Sequence, residues 1–376
     1  MNGFSMTEVF FELLQVALGR RDKFSRAITA DEWRALFDMA RKQAVVGVCR
    51  AGLMRLPAEQ WPPRDVVLEW EAACSQIEQR NRTVNEATAF VVFRFGYWGF
   101  RTCILKGQGN AVVYPDPMAR TPGDIDVWLD GGCWRIIDFA VRDSVGGKIY
   151  YHHIEWNWCG DVPVEVHYRP SFMFNPIHNH RLQKWFRMNF DACQANKIDL
   201  PEGAGSVVVP TFEFNVVFQL THMFNHFLHK GVGLKQFVDY YYLLVTNRER
   251  LMADERVRAE LEATISRFGL YDFSRAVMWV MERVFMLDRD CMISVPDERL
   301  GRLLVDEIML GGNFGKYDTR VLTSAHPTPL QRNIARLYRD IRLCRFFPSE
   351  CLCEPFFRIW HFCLRLIYRF AYRWVY

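Results

Sequence analysis

Two carboxylates stand two residues apart in Gly123-Asp124-Ile125-Asp126-Val127, at the head of an apolar run. Along a β-strand, residues i and i+2 share a face. Asp124 and Asp126 are therefore expected to project together while Ile125 and Val127 turn into the core. Like charges side by side repel unless a cation lies between them, and hard oxygen ligands suit a divalent metal, magnesium above all. A third carboxylate, Glu165, sits in a second alternating segment, Pro163-Val164-Glu165-Val166-His167-Tyr168, with His167 on the same face. Upstream, Lys106-Gly107-Gln108-Gly109 closes a short β-like run and opens a helical pattern. Glycines there allow close backbone approach, and a helix start favours anions. Lys106 and Arg120 are cations of the kind that grip phosphate. Each has a plainer alternative. Lys106 could pair with Asp124 or Asp126, Arg120 could make a structural ion pair, and His167 could simply orient a carboxylate.

Elements able to hold these groups can be read around them. Residues 1 to about 98 read as helical. Met1–Leu18 forms an amphipathic segment with Glu8 and Glu12 inside it, unlike a signal peptide. Thr29 or Asp31 caps a helix carrying Trp33, Leu36, Phe37 and Ala40, and a longer helix runs from Val66 towards Tyr97. Residues 99–170 change character. A strand at 101–105 is followed by a helix through Val113, the strand bearing Asp124 and Asp126, and a helix from Trp134 to Asp143. A hairpin then pairs Lys148–Trp158 with Val162–Tyr168. Residues 171–345 return to helix, including Thr211–Lys230 and Leu234–Asn247. The fold class expected is α+β, a small mixed sheet flanked by N-terminal and C-terminal helical regions.

The chain has 376 residues, 50% of them hydrophobic and 24% charged, with a net charge of +4. That is a globular balance, and it carries no strong nucleic-acid signal. The eleven cysteines lack zinc-type spacing and read as reduced thiols of a cytoplasmic protein. No apolar stretch is long enough to span a membrane.

Lys106-Gly107, Arg120-Thr121-Pro122-Gly123-Asp124-Ile125-Asp126 and Glu165-Val166-His167 together resemble the nucleotidyltransferase superfamily typified by DNA polymerase beta. More narrowly, they resemble a bacterial family of uncharacterised nucleotidyltransferases. Thr221-His222, His226 and Gly233 to Asp239 extend the likeness, which covers about residues 30–245. Most of the wider superfamily carries Gly-Ser where this chain has Lys106-Gly107. The resemblance implies magnesium-dependent transfer of a nucleoside monophosphate from a nucleoside triphosphate such as ATP. Asp124, Asp126 and Glu165 would be the catalytic metal ligands, with Lys106, Gly107, Gly109, Arg120, Gly123 and His167 around the nucleotide. The acceptor stays open among a small molecule, a sugar phosphate, an RNA end and a protein. The alternatives are a catalytically silent nucleotide-binding or regulatory module, and a membrane-surface or partner-binding protein that works through its C-terminal helix.

Three further features stand apart. His222 and His226, with His229 and His153, offer only a weak zinc pattern, since no Glu completes the motif. Lys235, Gln236 and Asp239 read as nucleotide contacts or as a polar network between helices. Phe356–Tyr376 is aromatic, and Arg358, Arg365, Arg369 and Arg373 fall on one stripe near His361. Such a helix can rest on an anionic membrane, giving peripheral attachment at the inner face, or pack on the domain or a partner.

Overall fold

The computed structural model describes residues 5–142, 146–318, 320 and 328–371. Reciprocal capping starts the chain. The Ser5 hydroxyl accepts from the Glu8 N–H and Glu8 accepts from the Ser5 N–H, opening α1 (Met6–Ala17). Thr29 and Glu32 repeat the device at α2 (Ala30–Lys42), each cap contributing about 1 kcal/mol. Then come α3 (Val46–Leu53) and the long α4 (Arg64–Tyr97).

The sheet follows as β1 (Thr102–Ile104), a short α5 (Gln108–Ala111), β2 (Ile125–Leu129), α6 (Cys133–Arg142), β3 (Gly146–Ile149), β4 (His153–Trp156) and β5 (Val164–His167). Its order is β1-β2-β5-β4-β3. Only the β2–β5 pair is parallel; the other three pairings are antiparallel. Period-two alternation sorts the side chains onto two faces. Ile125, Val127, Val164, Val166, Ile154 and Trp156 form one buried cluster with Val84, Val91 and Phe95 of α4 and Ile136 and Ile137 of α6. The opposite face carries Asp126, Glu165 and the histidines.

The remaining chain forms α7 (Pro176–Gln194), a hairpin of β6 (Lys197–Leu200) and β7 (Gly205–Val208), α8 (Phe212–His229), α9 (Leu234–Thr246), α10 (Arg248–Ala253), α11 (Glu255–Arg267), α12 (Tyr271–Phe285) and α13 (Glu298–Gly311). Last are α14 (Pro329–Cys344) and α15 (Pro348–Ala371). Trp128 joins the sheet to this helical body, edge-on to Phe190 of α7 at 4.6 Å and stacked on Phe214 of α8 at 5.3 Å. The architecture is α+β, a mixed five-stranded sheet with flanking helices.

Three local expectations are corrected. The strand expected over 148–158 is broken at Tyr150–His152, where the Tyr150 N–H donates to the His153 carbonyl at 2.8 Å; β3 and β4 thus form a hairpin of their own, and β4 still pairs with β5. The helical stretch expected over 171–345 contains the β6–β7 hairpin, turned at Pro201-Glu202-Gly203. The helix after Gly107 ends at Ala111 rather than Val113. The expected helix end at Asp143 and the last residues of the C-terminal segment, 372–376, lie outside the described residues. Among the described residues, no helix is long and apolar enough to cross a membrane.

Candidate active site

Register brings the acidic groups together. Asp126 on β2 lies opposite Glu165 on β5, and Glu165 lies opposite Glu155 on β4. The next row on the same face is Trp128, His167 and His153. Parallel pairing of β2 with β5 is what sets Asp126 beside Glu165, which neither sequence segment shows alone. Asp124 immediately precedes β2 and lines the same cleft.

Asp126 is 1% exposed and is held by two cations. The His167 Nε2–H faces Asp126 Oδ1 at 2.9 Å and Glu165 Oε2 at 3.4 Å, and Lys106 Nζ lies 3.2 Å from Asp126 Oδ2. A buried carboxylate needs such partners to stay charged. Burial disfavours the Lys106 ammonium, but Asp126, Asp124 and Glu165 outweigh it and hold its pKa above the ordinary lysine range. Burial also opposes charge on His167, yet its bonds to Asp126 and Glu165 raise its pKa to about 9. Glu165 resists burial through the His167 hydrogen bond and the neighbouring His153, and is lowered to about 2. The histidines on the other side stay neutral. Burial, then Lys106, holds His226 at about 3, and His222 is lowered well below its usual value by the same two causes. His222 Nε2 lies 3.1 Å from Lys106 Nζ and 2.9 Å from His226 Nε2.

Asp126, Glu165 and His167 each offer a ligand atom within 4.8 Å of the others, as do His152, His153 and His167. The first set fits a divalent cation. Two carboxylates supply hard oxygens, and the charges of Lys106 and His167 now stand where a cation would neutralise the pair. Asp124 contributes no atom to that cluster; it faces the cleft beside it.

Other expected groups take different places. Gly107 has φ +61°, a conformation only glycine adopts without strain, so the turn from Lys106 into α5 requires it. Gly109 donates its N–H to the Lys106 carbonyl at 3.1 Å, and a Cβ there would meet Val209 at 2.9 Å; its smallness serves packing. Arg120 is paired within the protein. Its fork closes on Asp239, Nε to Oδ1 at 2.7 Å and Nη2 to Oδ2 at 2.8 Å, with the Tyr114 hydroxyl donating to Oδ1 at 2.6 Å. The structural ion pair thus takes both partners and makes Asp239 part of a polar network. Lys235 lies buried behind Gly123, where a Cβ would sit 3.5 Å from its Nζ. Burial and Arg120 lower its pKa to about 7. Glu155 and His152 were missed. The signal for Glu155 was its two-residue spacing from His153, which assigns it to the same face.

This face lines a cleft of about 840 Å³, to which α8, α14 and α15 also contribute. With that geometry in place, family comparison becomes decisive, because one family model matches residues 29–285. The chain belongs to the family of uncharacterised nucleotidyltransferases. The matched span contains the whole carboxylate face, Lys106, and the His222–His226 pair. It ends before α13, so the hairpin α14–α15 lies outside it. No curated protein and no solved structure matches the chain.

The proton on His167 gives a pH prediction. A pKa raised to about 9 from 6.5 stabilises the fold fully below 6.5, and that stabilisation is lost as pH rises through 9. The metal-free melting temperature should therefore fall across this window, and the fall should shrink in His167→Asn. A divalent cation between Asp126 and Glu165 competes with the same proton. Calorimetric titration of Mg²⁺ in buffers of different ionisation enthalpy should then report proton release near neutral pH. Identical apparent heats in all buffers would contradict the assignment.

Proposed function

We propose that the protein transfers a nucleoside monophosphate from a magnesium-bound nucleoside triphosphate to an acceptor hydroxyl or phosphate. The observation that carries this is the pairing of Asp126 with Glu165 across two parallel strands, beside Asp124 and Lys106, in a chain of this family. Asp126 and Glu165, with Asp124 at the cleft edge, would hold Mg²⁺, which when bound neutralises phosphate charge and aligns an in-line displacement. The residues supply the rest. Lys106 is anchored between Asp126 and His222, so its ammonium would stand at a fixed place for a phosphate oxygen. His167 orients both carboxylates through its Nε2–H and would give up that proton were both carboxylates engaged by a cation. Its Nδ1 lies 3.2 Å from the Arg169 carbonyl, which fixes the ring. Glu165 is the carboxylate placed to accept the proton of an acceptor hydroxyl.

Thermal-shift titration with each of the four nucleoside triphosphates tests the reading. A ligand that binds only the folded protein raises its melting temperature once its concentration exceeds Kd. The expected result is a Mg²⁺-dependent rise with at least one nucleotide that disappears in Asp124→Ala/Asp126→Ala. A rise that persists in the double variant would refute the metal–nucleotide site.

A further inference from the structure

The arginine stripe of the C-terminal helix, which in sequence suits an anionic membrane surface, is turned into the molecule. Arg358, His361 and Arg365 recur at i, i+3 and i+7 on α15, which places them on one helical face. All three line the same cleft as the carboxylates, with Arg336 of α14 beside them. Aromatic packing fixes this orientation. Phe357 stacks on Phe172 at 5.1 Å and meets Tyr151 edge-on at 5.2 Å, and Tyr368 is buried in the sheet's own core cluster.

The stripe is incompletely satisfied. Arg358 reaches Glu354 at 3.1 Å. Arg365 has no carboxylate within ion-pair distance among the described residues, and its Nε is buried without a hydrogen-bond partner. His361 Nε2 is buried without one as well. A buried polar group without a partner is unfavourable, and both residues line a cleft large enough to hold the missing partner. The sign of the missing partner follows from the groups that gather here. Arg336 and Arg358 lie near Glu354, and Arg365 and Arg336 lie near His361, so guanidinium groups predominate on this part of the lining. Guanidinium forks match phosphate oxygens in geometry as well.

We propose that α14 and α15 form the acceptor subsite of the cleft, and that the acceptor is a phosphorylated small molecule whose phosphate is gripped by Arg365 with Arg358 and His361. The assignment rests on the nucleotidyl-transfer reading for the word acceptor, but not for the anion site itself. Two observations separate this wall from the donor's triphosphate. The carboxylates and Lys106 stand on or beside the sheet, inside the matched family span, whereas the stripe stands on α15, outside it. The cleft volume of about 840 Å³ is near the top of the range of roughly 300–1,000 Å³ for small-molecule sites, with room for two ligands.

Inorganic phosphate is the probe. It is titrated calorimetrically into the full chain, with and without saturating Mg²⁺ and a non-hydrolysable nucleoside triphosphate. The expected result is phosphate binding that persists in the presence of nucleotide. Arg365→Gln should weaken it at least tenfold and leave nucleotide affinity unchanged, Arg365→Lys should fall between, and Asp126→Asn should do the reverse. Unchanged melting temperatures in the Arg365 variants would show that the fold is intact. Phosphate that fails to bind, binds equally to Arg365→Gln, or is displaced by nucleotide overturns the proposal. Nucleotide that never binds, with phosphate binding still dependent on Arg365, overturns the donor reading and leaves the anion site standing.

Discussion

Asp126→Asn should reduce transfer of label from an α-radiolabelled nucleoside triphosphate by on the order of 10³-fold, because several kcal/mol of charge stabilisation go with the metal. It should also destabilise the protein, which a solvated metal ligand would not do. Asp126 is buried between Lys106 and His167, and Asn keeps its shape while removing its charge. Two cations are then left facing a neutral amide. Breaking a buried pair from one side costs about 3–5 kcal/mol, so the metal-free melting temperature should drop by several degrees. Asp126→Asn/Lys106→Met separates the two effects. Removing the stranded ammonium should recover much of the stability and none of the activity. Glu165→Gln, at a more exposed position, should lose activity with a smaller loss of stability. Near wild-type turnover in Asp126→Asn would exclude this carboxylate from the chemistry, and an unchanged melting temperature would exclude the buried triad as a stabilising unit.

The candidate site residues were legible where they depend on period two. Glu165 and His167 share a face by alternation, and Asp126 joins them through the β2–β5 register. Long or clearly punctuated helices were legible too: α4 appeared from its apolar spacing, and α2 from Thr29 and Glu32. What sequence alone left open depends on partners far apart in the chain. Arg120 and Asp239 are each ordinary charged residues until tertiary packing brings α9 against the loop before β2. Glu155 acquires meaning only through its place across from Glu165. The C-terminal stripe shows the limit most clearly. A basic amphipathic helix has the same pattern whether its arginines meet solvent, lipid headgroups or a cleft, and only the packing of Phe357 and Tyr368 selects the cleft. Meanwhile Phe356, Ile359 and Phe370 of α15 stay exposed, as do Leu330 and Ile341 of α14; of the remaining stripe residues, Arg369 is exposed and Arg373 lies outside the described residues.

The second large effect is expected at the buried ion pair of Arg120 and Asp239. Arg120→Met should destabilise the protein by about 3–5 kcal/mol, since Asp239 would be left buried with the Tyr114 hydroxyl and the more distant charge of Lys235 in place of a bidentate guanidinium. Asp239→Leu should cost a similar amount by stranding the guanidinium. The double variant Arg120→Met/Asp239→Leu should recover most of the loss, because two apolar side chains of comparable volume replace a pair whose desolvation offsets much of its attraction. Denaturant unfolding of the four proteins gives the coupling directly. The functional readout makes the cycle informative about the site. If Arg120 acts by anchoring the loop that delivers Asp124, nucleotide affinity should fall in each single variant and return with stability in the double variant. If its guanidinium instead grips the triphosphate, affinity should stay lost when stability returns. The bidentate geometry to Asp239 favours the first outcome, since Nε and Nη2 are already committed and the remaining Nη1 is buried.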